Sequence, residues 1–164
     1  MYAKDMILEL GDKLGLGKLE LDENNTCSLV FDNIHAIDMK VTDDGNEIQI
    51  FSPVSIVPEK NREAFLCQLM EANLFGQGTG GSLFSVIKEI DLLFMYRKFR
   101  LEVSDYQNFE KGLETFLNYL EAWKKKIETE YGEGDGSTTP PAPAKGPTRE
   151  PSSGGGGLPP MLKA

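Results

Sequence analysis

Between Ile34 and Val41 the chain alternates without interruption. His35, Ile37, Met39 and Val41 point one way, and Ile34, Ala36, Asp38 and Lys40 point the other. A period of two with unlike sets on its two sides belongs to a β-strand that has a core face and a water face. Lys18–Asp22, Thr26–Phe31 and Glu47–Val57 are short alternating segments of the same kind. Asp22-Glu-Asn-Asn, Asp32-Asn33 and Asp43-Asp-Gly-Asn46 supply the turns, and Asp32-Asn33 is short enough for a tight hairpin. This stretch reads as an antiparallel meander.

Helical spacing frames the meander. Residues 3–14 place Met6, Ile7, Leu10 and Leu14 on one face, and Gly15 and Gly17 end that helix. Pro53 and Pro58 close the fourth strand, after which Asn61–Phe75 carries Ala64, Phe65, Leu66, Leu69, Met70, Ala72 and Leu74. That apolar arc is wider than one sheet contact needs, and such helices are deeply buried or shared with a second subunit. Beyond Gly76–Gly81 lie two more strands, Ser82–Glu89 and Asp91–Leu101. Ser104 and Gln107 form a capping box for a last helix through Tyr106, Phe109, Leu113, Phe116, Leu117, Leu120, Trp123 and Ile127. The order α-β-β-β-β-α-β-β-α predicts an α+β domain, with three helices against a twisted antiparallel sheet of five to six strands.

The pattern stops at Gly132. From there to Ala164 the chain holds 8 of its 17 glycines, 7 of its 9 prolines and no aromatic residue. Such a segment cannot bury enough apolar surface to offset the entropy of ordering it. Residues 1–131 are therefore the expected folded unit, and 132–164 a flexible tail. The tail's charges cancel, Glu133, Asp135 and Glu150 against Lys145, Arg149 and Lys163, so the net charge of −9 belongs to the domain. That balance argues against nucleic acid and against an anionic membrane surface, both of which need clustered Lys and Arg. It favours a basic or amphipathic partner segment. No stretch reaches the roughly 18 apolar residues of a membrane span. The N-terminus lacks the basic start and unbroken apolar run of a signal peptide. Cys27 and Cys67, without motif spacing, read as buried free thiols of a cytoplasmic protein.

Motifs of chemistry do not assemble. Gly76-Gln-Gly-Thr-Gly-Gly81 formally matches G-x-G-x-x-G, but it follows a helix and precedes a strand, the reverse of a dinucleotide site. A helix terminator explains it. His35, the single histidine, falls mid-strand among apolar residues and reads as a core histidine, not a catalytic base. No His/Cys cluster has zinc spacing, and Asp43–Glu47 lacks the alternating ligands of a calcium loop. The expectation is a non-enzyme with no cofactor, no metal and no catalytic residue.

Several segments together resemble one family. Leu8-Glu-Leu-Gly11 with Leu14-Gly15-Leu16 resembles the opening helix of class I type III secretion chaperones, which include the Tir chaperone group. Asn24-Asn-Thr-Cys-Ser-Leu-Val-Phe31 is similar to that family's first hairpin. Leu69-Met-Glu-Ala-Asn-Leu-Phe75 followed by Gly80-Gly81 is similar to its second-helix signature. The resemblance covers most of residues 1–131 and leaves the tail outside.

It implies a bacterial cytoplasmic homodimer whose second helix supplies much of the interface, through Phe65, Leu66, Leu69 and Met70. It implies cargo too, the N-terminal segment of one or more secreted effectors wrapped in extended form and kept fit for export, with the export ATPase as a later partner. For the cargo groove the first helix and the segment after it are the candidates, through Ile7, Leu8, Leu19 and Leu21, with ordinary core as the equal alternative. A non-enzymatic adaptor of the same fold, binding a secretion-system component, stays open as a second reading. The apolar stretch Leu158–Leu162 is read as a frayed terminus or a docking element.

Overall fold

A computed structural model of the chain describes residues 3–32, 34–102 and 104–132. The elements run α1 (Ala3–Lys13), β1 (Thr26–Phe31), β2 (His35–Val41), β3 (Glu47–Ile56), α2 (Arg62–Asn73), β4 (Leu83–Ile87), β5 (Leu92–Arg100) and α3 (Tyr106–Tyr131), with single 3-10 turns at Leu74–Gly76 and Lys88–Ile90. The expected α+β class with three helices holds, on five strands in the order β1-β2-β3-β5-β4. Every pairing is antiparallel.

The alternation at 34–41 behaves as its period dictates. His35, Ile37, Met39 and Val41 are buried, and Ala36, Asp38 and Lys40 are partly exposed. Register aligns like with like: Met39 stands opposite Cys27 and Ile50, and Val41 opposite Ile48. Those residues, with Val54, Phe84, Leu93, Met95 and Phe99, form one core with the buried residues of all three helices. Contrary to the expectation from sequence, Pro53 does not close the strand but lies inside β3, where its missing N–H is accommodated by a shift of register with β5 between Pro53 and Ser55. The buried Ser52 hydroxyl donates to the Ala36 carbonyl at 2.6 Å and so ties β3 to β2.

Two further local expectations are corrected. Lys18–Asp22 is not a strand. The Asp22 carboxylate accepts from the amides of Asn24 (2.9 Å) and Thr26 (2.8 Å), a turn that competes with any ladder. Leu19 and Leu21 pack against the core from irregular chain, so their alternation reflects burial alone. The last helix is capped by Asp105, one residue beyond the expected Ser104, with its carboxylate accepting from the Asn108 amide at 2.8 Å. The tail from 133 onward lies outside the described residues.

The long helix α3 crosses close to the sheet at Gly112. A β-carbon there would stand 2.3 Å from Cε1 of Phe99, whose ring meets that of Phe109 edge to face at 5.0 Å. Gly112→Ala should gain about 1 kcal/mol of helix propensity and lose about 2–3 kcal/mol to overpacking. A net loss of roughly 1–2 kcal/mol in urea unfolding is expected, and an unchanged or raised midpoint would mean that the ring moves aside freely.

Candidate interaction surface

Helix α2 carries its wide apolar arc on two faces. Phe65, Leu69 and Ala72, at spacings of four and three, are buried in the chain's own core. On the opposite side Arg62, Glu63, Leu66, Cys67, Met70 and Glu71 line an open, mostly apolar hollow of about 680 Å³. Met70 is 69% exposed, and the stripe continues past the helix through Leu74 at 59% and Phe75 at 89%. An exposed run of this kind marks a contact surface.

The helix is held firmly while it presents that face. At its start, Arg62 donates to the Asp91 carboxylate at 2.6 Å. Along its inner side Phe65 meets the Tyr131 ring edge to face at 4.9 Å. Nearby, the Tyr131 hydroxyl and the Gln68 side chain hydrogen-bond at 3.2 Å. At its end the Asn73 amide clasps the backbone of Phe84 in both directions, accepting at 2.7 Å and donating at 3.2 Å. Phe75 then takes a positive φ of 51°, an uncommon conformation for a residue with a side chain.

The glycine segment that follows is a structural linker. The Gly78 carbonyl accepts from the Trp123 indole at 2.8 Å, and the Gly80 carbonyl accepts from Arg97 at 2.8 Å. Its carbonyls are thus engaged by α3 and β5, and it terminates α2 as the sequence order indicated.

The sequence-predicted positions separate. Of the four α2 residues, Leu66 is half-buried and Met70 exposed, whereas Phe65 and Leu69 point into the core. Of the four groove candidates, Leu8, Leu19 and Leu21 remain half-buried, and Ile7 is in the core at 1%. Sequence reading passed over Phe75 and the exposure of Cys67. The available signal was an apolar pair, Leu74-Phe75, set directly before a glycine, where a helix ends and side chains turn outward.

Groups able to do chemistry are scattered. Among the described residues no group of three or more His, Cys, Asp or Glu could hold a metal ion, and no helix is long and apolar enough to cross a membrane. Of the two free thiols, Cys27 is buried in β1 and Cys67 is exposed on α2, which corrects the expectation that both are buried. Burial, with Asp38 and Asp22 adding to it, pushes the Cys27 thiol up to about 11. His35 sits on the core face, and its Nδ1 makes no hydrogen bond among the described residues. Burial holds its imidazole below the ordinary value, Lys124 reinforces this, and Glu121 and Asp32 oppose it.

Comparison with known proteins gives a consistent result. Residues 5–124 match the Tir chaperone protein (CesT) family. A Chlamydia pneumoniae protein is 31% identical over 106 residues, 64% of this chain and 79% of its own length. A Tir chaperone of Citrobacter freundii is 25% identical over 118 residues, 71% of this chain and 74% of its own. A chain in the structure of the HopA1-SchA chaperone-effector complex shares the fold, with a TM-score of 0.60 at 15% identity over 74% of this chain and 92% of that one.

The depressed His35 sets the sign of a pH effect. As pH falls through the ordinary histidine value of 6.5, the unfolded chain takes up a proton that the folded chain resists. Stability is therefore intact above that value and declines below it. Urea midpoints at about pH 7.5 and 5.5 should show this decline, and His35→Leu should reduce it; equal declines would assign it to other groups. In a Cys67→Ser chain the remaining thiol should react with a maleimide only at the rate of unfolding, and fast labelling of the native protein would mean that β1 opens on its own.

Proposed function

The chain belongs to the Tir chaperone protein (CesT) family, a family of chaperones and not of enzymes, and on that premise we propose that it is a type III secretion chaperone that binds the N-terminal segment of one or more effectors. The match across residues 5–124 carries this reading, because it spans the sheet, α2 and most of α1 and α3. The cargo is a segment that is disordered and apolar when free. Binding covers its side chains and keeps the segment soluble by mass action, without turnover of any bond. An extended segment can fill surface grooves with alternate side chains and add a strand to a sheet border. Leu8, Leu19 and Leu21, which keep part of their surface in water, are the residues that would line such a groove beside α1. The place of action is the bacterial cytoplasm, and the export ATPase is the partner that would receive the complex.

A homodimer is part of the proposal. The outward face of α2, with Leu66 and Met70 at its middle and Leu74 and Phe75 at its end, is the surface a second copy would cover. Phe65 and Leu69 support it from beneath by fixing α2 on the core. The two layers respond differently to a charge. Leu69→Asp should unfold the subunit, since a carboxylate placed at a site only 3% exposed costs several kcal/mol. Met70→Asp should leave the fold intact and abolish self-association.

The deciding experiment is light scattering after size exclusion, on the chain alone and co-expressed with N-terminal fragments of candidate effectors. A dimer that captures one fragment and shields it from protease is the expected result, with Met70→Asp monomeric at unchanged circular dichroism. A monomer that captures no fragment would overturn the chaperone reading in favour of an adaptor that binds a folded secretion component.

A further inference from the structure

All three helices pack on one face of the sheet, because the core built on Met39, Ile48, Ile50 and Met95 takes in the buried residues of α1, α2 and α3. The opposite face meets water along its length, with Ser28, Val30, Leu83, Ser85, Lys98 and Arg100 exposed. Register shows which side chains share that outer face. Asp38, Phe51, Tyr96 and Leu83 stand in one line across four strands, and Pro53, Phe94 and Ser85 in the next. In the other direction come Lys40, Gln49 and Lys98, and then Glu47 with Arg100.

The outer face is therefore divided in two. At one end the Phe51 and Phe94 rings meet edge to face at 6.5 Å. With Tyr96 they stand partly in water, outside the core. Val30 and Leu83 carry apolar surface out to the two borders. At the other end cations gather, and the carboxylate among them is the covered member. Glu47 keeps only 16% of its side chain in water, facing Lys98 at 3.4 Å and Arg100 at 4.0 Å, which keep 53% and 79%. The Gln49 amide donates to Glu47 at 2.7 Å. Asp38, the other carboxylate of this face, accepts from the Ser28 hydroxyl, and Lys40 stands between the neutral Thr26 and Gln49. Solvent thus meets positive charge here, on a chain whose net charge is −9. Asp43 and Asp44 bound the positive area in the β2–β3 turn, where Asp44 accepts from the Thr42 hydroxyl at 2.6 Å and the Asn46 amide at 3.0 Å.

We propose that this outer face binds a protein segment in which apolar side chains are followed by carboxylates, the first on Phe51, Phe94 and Tyr96 and the second on Lys40, Lys98 and Arg100. Residues two apart on an extended chain are separated by about 7 Å. That is also the step from the Phe51–Tyr96 line to the Gln49–Lys98 line, so a segment lying along the strands presents both kinds of group in turn. The long-range field of an acidic domain favours basic partners. Here the exposed cations reverse that preference at contact distance, within a Debye length of about 8 Å. The site is separate from the outward face of α2 and from the residues beside α1, so it rests neither on the dimer nor on the chaperone reading.

The test measures the fluorescence anisotropy of a labelled synthetic peptide titrated with the full chain. The peptide has phenylalanine at its first and third positions, glutamate at its fifth and seventh, and serine between them; its counterpart has lysine in place of glutamate. In low salt the acidic peptide should bind about tenfold more tightly than the basic one, against the sign of the net charge, and added salt should weaken it. Lys40→Gln/Lys98→Gln should lose about tenfold in affinity for the acidic peptide at unchanged circular dichroism, and the exposed Arg100→Gln should lose part of it. Binding of neither peptide, or equal or tighter binding of the basic one, would overturn the proposal. So would an unchanged affinity in both glutamine variants. Tighter binding of a labelled oligothymidine would overturn it in favour of single-stranded nucleic acid, whose bases also stack on rings beside cations.

Discussion

The seam between α3 and the inner face of the sheet is the contact on which the rest of the domain hangs. Phe109, Phe116 and Leu120 of the helix and Ile48, Ile50 and Met95 of the sheet are all fully buried. Each such side chain is worth about 1.5–3 kcal/mol, whereas the exposed ion pairs, such as Lys13 with Glu9 at 3.7 Å, contribute about 0–1 kcal/mol apiece. Other parts are attached to this seam. Trp123 holds the glycine segment and stacks edge to face on Phe84 at 5.0 Å, and Tyr131 steadies α2. Gly112 lets the helix come down onto Phe99 without a gap.

Much of this was legible in the sequence, because periodicity reports directly on which side of an element is covered. His35, Ile37, Met39 and Val41 face the core as their alternation indicated, and α1 and α3 bury the stripes their 3.6-residue spacing marked, except that Leu14 stands exposed just past the end of α1. Lys18–Asp22 misled because two leucines can reach a core from irregular chain, and the turn made by Asp22 is invisible to a period count. The two adjacent candidates for capping α3, Ser104 and Asp105, differ by local backbone geometry that composition does not reveal. The family was readable from short segments, of which the second-helix signature was the most distinctive.

Helix α2 shows where such reading stops. Its arc is apolar over more than half its circumference, and a sequence cannot say which half the subunit uses itself. The structure divides it: Phe65 and Leu69 inward, Leu66, Cys67 and Met70 outward. The family to which the chain belongs is one of chaperones and not of enzymes, and the outward half of α2 is a firmly mounted apolar face. The chain's acidity adds solubility to a surface that would otherwise favour aggregation.

The Asn73 clasp closes part of one border of the sheet. β4 is one of its two outermost strands, and there the outward amide and carbonyl of Phe84 are already spoken for by a side chain of the same subunit. A visiting peptide would have to give up two hydrogen bonds, each worth about 1 kcal/mol net, before pairing at that point. β1, the opposite outermost strand, is fastened at its start in a similar way, where Asp22 accepts from the Thr26 amide at 2.8 Å and donates its own amide to the Thr26 carbonyl at 2.9 Å. The sheet is thus a ribbon stitched at one place on each border. Each clasp raises the cost of continuing the sheet at that point, which restrains edge-to-edge pairing between copies without closing either border.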